Sequence, residues 1–323
     1  MMTRLLAICL LAASVAGPAF GRDLTVAEVN SAEIGKGKER NSRPVLIRAQ
    51  VLLDRAGFSP GVIDGRNGSN FVNALRAFQQ QNGLKDAGEL DPPTWSKLLE
   101  TSADPALSDY VITPEDTKGP FVEEIPEKFE KKAELKRLAY TGPTELLAEK
   151  FHIDEDLLEE LNRGKSLDQP GTSIVVANIR QEPPKIQVQR IVVEKNQRSL
   201  RAFDRDGKLV GFYPASIGSD EKPAPTGTLK ITRVVRDPVY VYDPKFQFRG
   251  VHAQQKLKIA PGPNNPVGSV WMSLNERTYG IHGAAEPAKV GKAASHGCVR
   301  MTNWDAGRLA AMVKKGTKVE FVD

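Results

Sequence analysis

The sequence predicts a multidomain α+β protein. It combines a small three-helix bundle, a small βααβ module and a mainly β C-terminal domain, a sandwich or barrel with a C-terminal helix. Three observations support this fold class. Apolar residues recur at helical spacing as far as about residue 180, β-branched runs and hairpin signals follow, and Pro-rich breaks separate the parts. The length of 323 residues suits two or three domains.

The composition is that of a folded protein with a mild basic excess. Hydrophobic residues make up 40% and charged residues 26%, which argues against wholesale disorder and against a polytopic membrane protein. Lys and Arg (45) exceed Asp and Glu (40), giving +5, and the excess is spread along the chain. A nucleic-acid binder usually concentrates its basic residues in a stripe. We therefore expect no nucleic-acid partner, while an acidic polymer suits the charge.

Residues 1–21 carry the features of a secretory signal. Arg4 provides a positive start, residues 5–17 form an apolar run, and Ala19 and Gly21 place small residues at a cleavage site. The apolar run is too short to cross a bilayer as a helix, and the alternative is a buried N-terminal helix. The pattern predicts export, with no membrane span after cleavage. The polar residues 22–42 predict a flexible lead-in.

Residues 43–100 predict three helices. The first has its apolar face at Val45 and Ala49, the second at Leu75, and the third follows a break at Pro92-Pro93. The alternative is a generic helical bundle.

The stretches RAQVLLDRAGFSPGVIDGRNG, ALRAFQQQNGL and GELDPPTWSKLL resemble the peptidoglycan-binding domain type 1. The turn formed by Asp64, Gly65 and Gly68 carries much of the likeness. Phe71 departs from the pattern, since that family usually has Thr there. The resemblance implies a module that binds the cell wall.

The next two segments differ in composition and in predicted structure. Residues 101–136 are acidic and punctuated by Pro, which predicts a linker or extended arm. Residues 137–180 show two helical faces and then a strand, and they resemble a LysM repeat, a βααβ module that binds N-acetylglucosamine chains. Gly142-Pro143-Thr144 replaces the usual Gly-Asp-Thr turn. A structural spacer of the same fold is the alternative. His152 is expected on a helix surface.

Residues 186–323 predict the mainly β domain. Asp206-Gly207 marks a hairpin because both residues tolerate a positive φ. Thr302 is expected to cap a helix that stops at Gly316. The other predicted strands are Gly227–Val235, Val239–Tyr242, Val270–Leu274, Tyr279–His282 and Thr317–Val322.

One cysteine remains after signal cleavage. Cys9 lies in the signal, so the exported chain keeps Cys298 alone, and an unpaired cysteine in a secreted protein indicates intermolecular pairing or a reactive thiol. A thiol near its ordinary pKa is only a few per cent thiolate at neutral pH, and a nearby imidazole can take its proton. His296 lies two residues before Cys298 and His282 sixteen residues before it. Spacing alone leaves open which histidine is the base.

The motifs I-H-G at 281–283 and S-H-G-C-V-R at 295–300 resemble the catalytic motif of the YkuD-type L,D-transpeptidases. The upstream stretches PAPTGTLKIT and PGPNNPVG extend the likeness over about 186–323. The resemblance implies that Cys298 is the acyl-accepting nucleophile and His282 the base. The expected supporting and oxyanion residues are His296, Gly297, Ser295 and Gly283.

Arg300 stands where the family often has Asn, and it is a candidate for binding a substrate carboxylate. The alternative is a strand arginine that faces solvent. Tyr279 and Trp271 are candidate cleft aromatics. The resemblance implies an acyl-enzyme formed from a peptidoglycan stem tetrapeptide with release of D-Ala. An amine of a second stem or of an outer-membrane protein then accepts the acyl group. This activity would serve cell wall biogenesis and cell shape in the periplasm, without a cofactor.

Three alternatives remain open. His252, His282, His296 and Cys298 contain good zinc ligands, but the sequence has no H-E-x-x-H helix and we expect no metal. The same nucleophile could serve an L,D-carboxypeptidase or amidase-type hydrolase. A non-catalytic peptidoglycan-binding protein is the third.

Overall fold

A computed structural model of the chain describes residues 24–219, 222–246, 253–293, 295 and 297–323. The predicted signal segment, His252 and His296 lie outside the described residues. Within the described ranges, no helix has the length and apolar character needed to cross a membrane.

The helices lie mainly in the first half of the chain. They are α1 (Val26–Asn30), α2 (Arg43–Arg55), α3 (Ser69–Gln81), α4 (Pro92–Leu99), α5 (Pro114–Thr117), α6 (Phe129–Glu134), α7 (Pro143–Lys150), α8 (Glu155–Leu161) and α9 (Asn303–Met312), with 3-10 turns at Gly37–Asn41, Pro244–Phe246 and Pro287–Lys289.

The strands lie mainly in the second half. They are β1 (Leu107–Val111), β2 (Ser173–Ala177), β3 (Arg190–Glu194), β4 (Ser199–Phe203), β5 (Leu209–Pro214), β6 (Ser216–Ile217), β7 (Gly227–Arg236), β8 (Tyr240–Tyr242), β9 (Leu257–Ile259), β10 (Val270–Leu274), β11 (Gly280–His282), β12 (Val299–Arg300) and β13 (Lys318–Val322).

The three-helix bundle is formed by α2, α3 and α4, as the periodicity predicts. Pro92-Pro93 begins the third helix rather than breaking the chain before it, because Pro suits the first turn, where its missing N–H has no helical partner. The Asp91 carboxylate accepts the Thr94 N–H at 2.9 Å and caps this helix. Phe71, the departure from the family pattern, is buried in the bundle core.

The predicted flexible lead-in is structured from residue 24. Thr25 and Glu28 form a reciprocal capping box on α1, and Val29 is fully buried. The Asn30 side chain donates to the Leu107 carbonyl at 3.0 Å and accepts its N–H at 2.8 Å. These contacts to a distant strand hold the lead-in in place, and local composition carries no sign of them.

The middle module recruits its first strand from the segment predicted to be a linker. Residues 101–136 contain β1, which pairs antiparallel with β2 from Leu107 opposite Ala177 to Val111 opposite Ser173. The module is therefore a β-sheet pair with α7 and α8, but its first strand lies upstream of residue 137. The pairing of β1 with β2 joins segments that are far apart in the sequence, so the pattern within either segment does not reveal it.

The C-terminal domain is a nine-stranded sheet in the order β5-β4-β3-β13-β7-β10-β11-β12-β6. The edge strands β5 and β6 are separated in sequence by Ala215 alone, so the sheet curls until its two edges meet. The pairs β3–β13 and β11–β12 are parallel and the others antiparallel. This barrel-like sheet confirms the predicted α+β class, and Gly207 turns the β4–β5 hairpin at φ 78°.

Helix α9 joins the domains. Ala306 and Leu309 are buried in the core of the curled sheet, and the Thr302 hydroxyl caps the helix at the Asp305 N–H, 3.2 Å. The Asp305 carboxylate accepts the Ser59 hydroxyl of the bundle at 2.8 Å. The two Oε atoms of Glu149 in α7 accept the Asn303 amide at 3.0 and 3.1 Å.

His152 is buried, contrary to the expected surface position. Its Nδ1 lies 2.9 Å from Asp54 Oδ2, and its ring stacks on Trp304 at 5.0 Å. Asp54 also binds the Arg308 guanidinium at 2.9 Å. The partners of His152 come from the bundle and from α9, so its burial depends on how three distant segments dock.

Candidate active site

One face of the curled sheet carries the predicted site residues. Trp271 pairs with His282 across β10 and β11, and His282 pairs with Arg300 across β11 and β12. Alternate residues of a strand project to the same side. Cys298, which precedes β12 and lies two residues before Arg300, is therefore on this face. The opposite face, with Met272 and Val299, is buried in the core. The alternation of side chains along the strands thus places the candidate site residues on one face of the sheet and the core residues on the other.

The His282 ring is fixed in one orientation. Its Nδ1 donates to the Gly283 carbonyl at 2.6 Å, which leaves Nε2 as the acceptor nitrogen. Trp271 stacks on the ring at 5.5 Å and 23°. Burial, together with the nearby charge of Arg300, lowers the pKa of His282 to about 3, although the hydrogen bond to Gly283 acts in the opposite direction. The imidazole is therefore neutral at physiological pH and can accept a proton.

The Cys298 thiol is half-buried and lines the same cleft as His282. Burial raises the pKa of Cys298, while the Gly280 N–H and the charges of Lys222 and Arg300 act in the opposite direction. The thiol contacts the Thr278 carbonyl at 3.6 Å. A protonated thiol and a neutral imidazole in one cleft are the resting state that these directions favour.

Thr278 and Gly280 support this thiol and were missed from the sequence. Thr278 has φ 74°, a conformation that is rare for a β-branched residue and is often found at functional sites. A Cβ on Gly280 would lie 2.5 Å from the Trp271 ring, so glycine is needed for the ring to cover β11. A Gly after an aromatic in a strand signals such close approach.

The loop before Cys298 is tied to the edge of the sheet. The Ser295 hydroxyl donates to the Cys298 carbonyl, and the Ser295 N–H donates to the Gly218 carbonyl at 2.9 Å. Gly297 has φ 92°, and a Cβ there would lie 2.9 Å from the Lys222 side chain. The Gly283 N–H donates to the Val270 carbonyl at 3.1 Å, so this residue orients His282 through its carbonyl and has no free N–H for an oxyanion.

The other predicted residues fall around a cleft of about 710 Å³. Arg300 and Trp271 line it, whereas Tyr279 lies beside the loop, with Lys222 Nζ 5.1 Å from its ring centre. The Arg300 Nε is buried without a hydrogen-bond partner among the described residues. This guanidinium faces the cleft rather than bulk solvent, which removes the alternative of a solvent-facing strand arginine.

The cleft also has a wall that the sequence did not predict. Phe129 and Lys132 of α6 line it, although they lie in the segment predicted to be a linker. Their apolar and basic side chains occur in an acidic, Pro-punctuated stretch, where nothing in the local pattern points to a site.

A metal centre finds no support among the residues that the structure describes, where no group of three or more His, Cys, Asp and Glu side chains could hold an ion. His252 and His296, two of the four residues of the zinc alternative, lie outside those ranges.

Two family models match the chain. The model described as "L,D-transpeptidase catalytic domain" (YkuD) matches residues 188–321, and that described as "Putative peptidoglycan binding domain" matches residues 42–98. The matched domains indicate an enzyme of the transpeptidase class that carries a peptidoglycan-binding domain.

Relatives narrow this class to a family. The "Putative L,D-transpeptidase YkuD" of Bacillus licheniformis is 34% identical over 179 residues, which cover 55% of this chain and 92% of that protein. The "Probable L,D-transpeptidase YbiS" of Escherichia coli K12 is 29% identical over 188 residues, covering 57% of this chain and 61% of that protein. The chain belongs to the L,D-transpeptidase family.

A crystal structure of the L,D-transpeptidase from Xylanimonas cellulosilytica superposes with a TM-score of 0.36 at 15% identity, covering 86% of this chain and 92% of that chain. Both the YkuD and the peptidoglycan-binding resemblances are confirmed by the family models. The LysM resemblance of residues 137–180 stays a prediction.

Proposed function

We propose that the protein is a peptidoglycan L,D-transpeptidase with Cys298 as its nucleophile. The substrate is a stem tetrapeptide, and the bond broken is the one that joins its third residue to the terminal D-Ala. The observation that carries this proposal is the half-buried thiol of Cys298 in the same cleft as the Nδ1-anchored imidazole of His282. That imidazole leaves Nε2 unprotonated and available.

The first half of the reaction forms a thioester. His282 Nε2 takes the thiol proton as Cys298 Sγ attacks the carbonyl carbon, giving a tetrahedral intermediate. The same imidazole then gives its proton to the departing nitrogen, and D-Ala leaves with a neutral amine. Because burial raises the pKa of Cys298 and lowers that of His282, proton transfer accompanies attack instead of preceding it as a stable ion pair.

The second half transfers the acyl group. An acceptor amine attacks the thioester carbonyl, His282 takes the amine proton, and Cys298 leaves as a thiolate that regains the proton. An amine on a second stem gives a 3–3 cross-link, and an amine on an anchored outer-membrane protein gives a protein–wall bond. Water as acceptor gives hydrolysis.

The backbone N–H groups of the nucleophile and of the residue before it stabilise the oxyanion in this mechanism. The N–H groups of Gly297 and Cys298 donate to no acceptor among the described residues, so they remain available. One such donor is typically worth about 3–4 kcal/mol in the transition state. Ser295 holds the loop through the Cys298 carbonyl, and Arg300 supplies a cation for a stem carboxylate.

The remaining assignments follow from the domain content. We propose residues 43–100 as the wall-binding domain, 137–180 with β1 as a LysM-like module and 186–323 as the catalytic domain. Residues 1–21 direct export in this proposal, and the protein works in the periplasm at the cell wall, in wall biogenesis and maintenance of cell shape.

Incubation with purified tetrapeptide muropeptides tests the function. We expect mass spectrometry to show D-Ala release, a thioester adduct on Cys298 and cross-linked dimers, all absent with Cys298→Ala. Loss of activity on thiol alkylation but not on chelation would separate this chemistry from a metal mechanism. Trimmed tripeptide without dimers or amine adducts would identify a hydrolase. Sacculus binding without any product from the wild-type protein would overturn the enzyme assignment.

A further inference from the structure

The helix α6 lies outside the region matched as the catalytic domain, yet it forms part of the active-site cleft. Phe129 and Lys132 line the same cleft as Cys298 and His282. The matched catalytic domain starts only at residue 188. One wall of the cleft is therefore supplied by the segment that connects the accessory modules to the enzyme.

Aromatic contacts hold this wall against the catalytic domain. The Phe129 ring meets Tyr240 edge-on at 5.9 Å and 89°, and Tyr242 at 5.7 Å and 82°. Tyr242 is fully buried. Edge-to-face pairs of this kind add attraction beyond that of the area they bury. The helix is thus seated on the β8–β9 hairpin rather than lying loosely over it.

Backbone contacts fix the chain that follows α6. The Leu138 N–H donates to the Pro261 carbonyl at 2.9 Å, and the Leu138 carbonyl accepts the Asn264 N–H at 3.0 Å. A Cβ on Gly262 would overlap the Leu138 carbonyl, so the two backbones approach as closely as glycine allows. These contacts anchor the chain four residues after the end of α6.

Lys132 has no ion-pair partner within the described lining of the cleft. The two acidic residues in its described lining each pair with another lysine, Asp243 with Lys256 at 3.1 Å and Glu286 with Lys289. Lys132 is half-buried, with its ammonium 5.6 Å from the Phe129 ring centre, and forms no ion pair within the described ranges. Burial lowers its pKa, while Glu286 and Glu127 oppose that effect. A partly desolvated cation of this kind favours an anionic ligand.

We propose that Lys132 binds a carboxylate of the peptide substrate, so that α6 is a specificity element of the active site. The proposal rests on the proposed function and deepens it. The ligand is a carboxylate of a stem peptide in the cleft, and the ammonium selects carboxylate-bearing stems over their amides. Lys132 therefore affects which peptide binds, while Cys298 and His282 carry out the bond exchange.

A substitution that keeps the shape of Lys132 and removes its charge tests this role. Lys132→Met retains the apolar stem that packs beside Phe129. Lys131→Met is the matched control, because Lys131 is exposed and pairs with Glu134 at 3.0 Å on the same helix. The steady-state kinetics of each variant are measured with a tetrapeptide and with the same peptide amidated at one carboxylate at a time.

We expect Lys132→Met to raise KM for the free-carboxylate peptide at least tenfold, because the variant loses a charge-assisted hydrogen bond, with little change in kcat. Amidation of the bound carboxylate should raise KM of the wild type by a similar factor and leave KM of the Lys132→Met variant unchanged. Equal KM ratios in the Lys132→Met and Lys131→Met variants, or equal sensitivity of wild type and variant to every amidation, would overturn the inference. Cys298→Ala separates the two levels: if it abolishes turnover while Lys132→Met behaves like its control, only the role of Lys132 fails.

Discussion

Two buried histidines in this protein have similar surroundings and different consequences. His152, at the junction of the domains, stacks on Trp304 at 5.0 Å, and His282, in the cleft, stacks on Trp271 at 5.5 Å. Burial lowers the pKa of both imidazoles. An aromatic neighbour and a depressed pKa therefore do not distinguish a structural histidine from a candidate base.

The partner of Nδ1 and the surroundings of the ring make the distinction. At His152 the partner is the Asp54 carboxylate, whose pKa falls to about 2 because His152 and Arg308 outweigh the effect of its burial. At His282 the partner is the uncharged Gly283 carbonyl, and the ring borders an open cleft. A charged partner in a closed site locks three segments together, whereas a neutral partner beside a cleft leaves a nitrogen free for chemistry.

The largest expected effect separates the two histidines by turnover. His282→Gln should lower kcat about 10²–10⁴-fold, the usual contribution of a general base, with an unchanged circular dichroism spectrum. His152→Gln should leave kcat of the folded protein within a few-fold of wild type while lowering its melting temperature. Similar kcat losses in the two variants would remove the basis of the comparison.

The second prediction concerns the carboxylate at the junction. Asp54→Ala should lower the free energy of unfolding by about 3–5 kcal/mol, because it leaves the largely shielded Arg308 guanidinium without its carboxylate and with the Arg180 carbonyl as its acceptor. Asp91→Ala is the control: it removes only the cap of α4 and should cost about 1 kcal/mol. Denaturant titration of both variants measures the difference, and equal losses would show that the junction is no stronger than a helix cap.

The third and smallest effect is a pH dependence at the same junction. Burial raises the pKa of Glu149 to about 8, above its ordinary 4.5. A carboxyl group whose pKa is raised by folding contributes stability that is complete below about pH 4.5 and is lost as the pH rises through 8. Asp54 has the opposite sign, since its lowered pKa gives stability above its ordinary 3.8 that is lost as the pH falls toward 2.

Glu149→Gln should therefore flatten the decline in unfolding free energy between pH 5 and pH 8, with Glu159→Gln as the exposed control on α8. Titrations of stability against pH at fixed denaturant check this expectation. A decline that persists unchanged in Glu149→Gln would show that another group causes it.

The sequence predicts well what depends on local pattern. Residues 270–274 and the strand from Gly227 were expected within one residue of their observed bounds, and the motif spacing brought Cys298 and His282 to attention. Both depend on alternation or on short motifs, which a single stretch of chain carries in full.

What the sequence did not predict depends on contacts between distant segments. Strand β1 forms because its residues, beginning with Leu107, pair with a distant strand that ends at Ala177. His152 is buried because Asp54 and Trp304 pack against it. Lys132 reaches the cleft on a helix that packs on Tyr240 and Tyr242 through Phe129. None of these partners is within reach of a periodicity or a turn signal.

The passage from β5 to β6 has a mechanical consequence. Phe212 in β5 exchanges backbone hydrogen bonds with the bundle, accepting the Ser59 N–H and donating to the Gly57 carbonyl, both at 2.9 Å. A few residues later, Ser216 in β6 pairs with Arg300, two residues after Cys298. One short segment is thus hydrogen-bonded to the helical bundle at one end and to the strand after Cys298 at the other, so a displacement of the bundle would reach Cys298 through paired backbone.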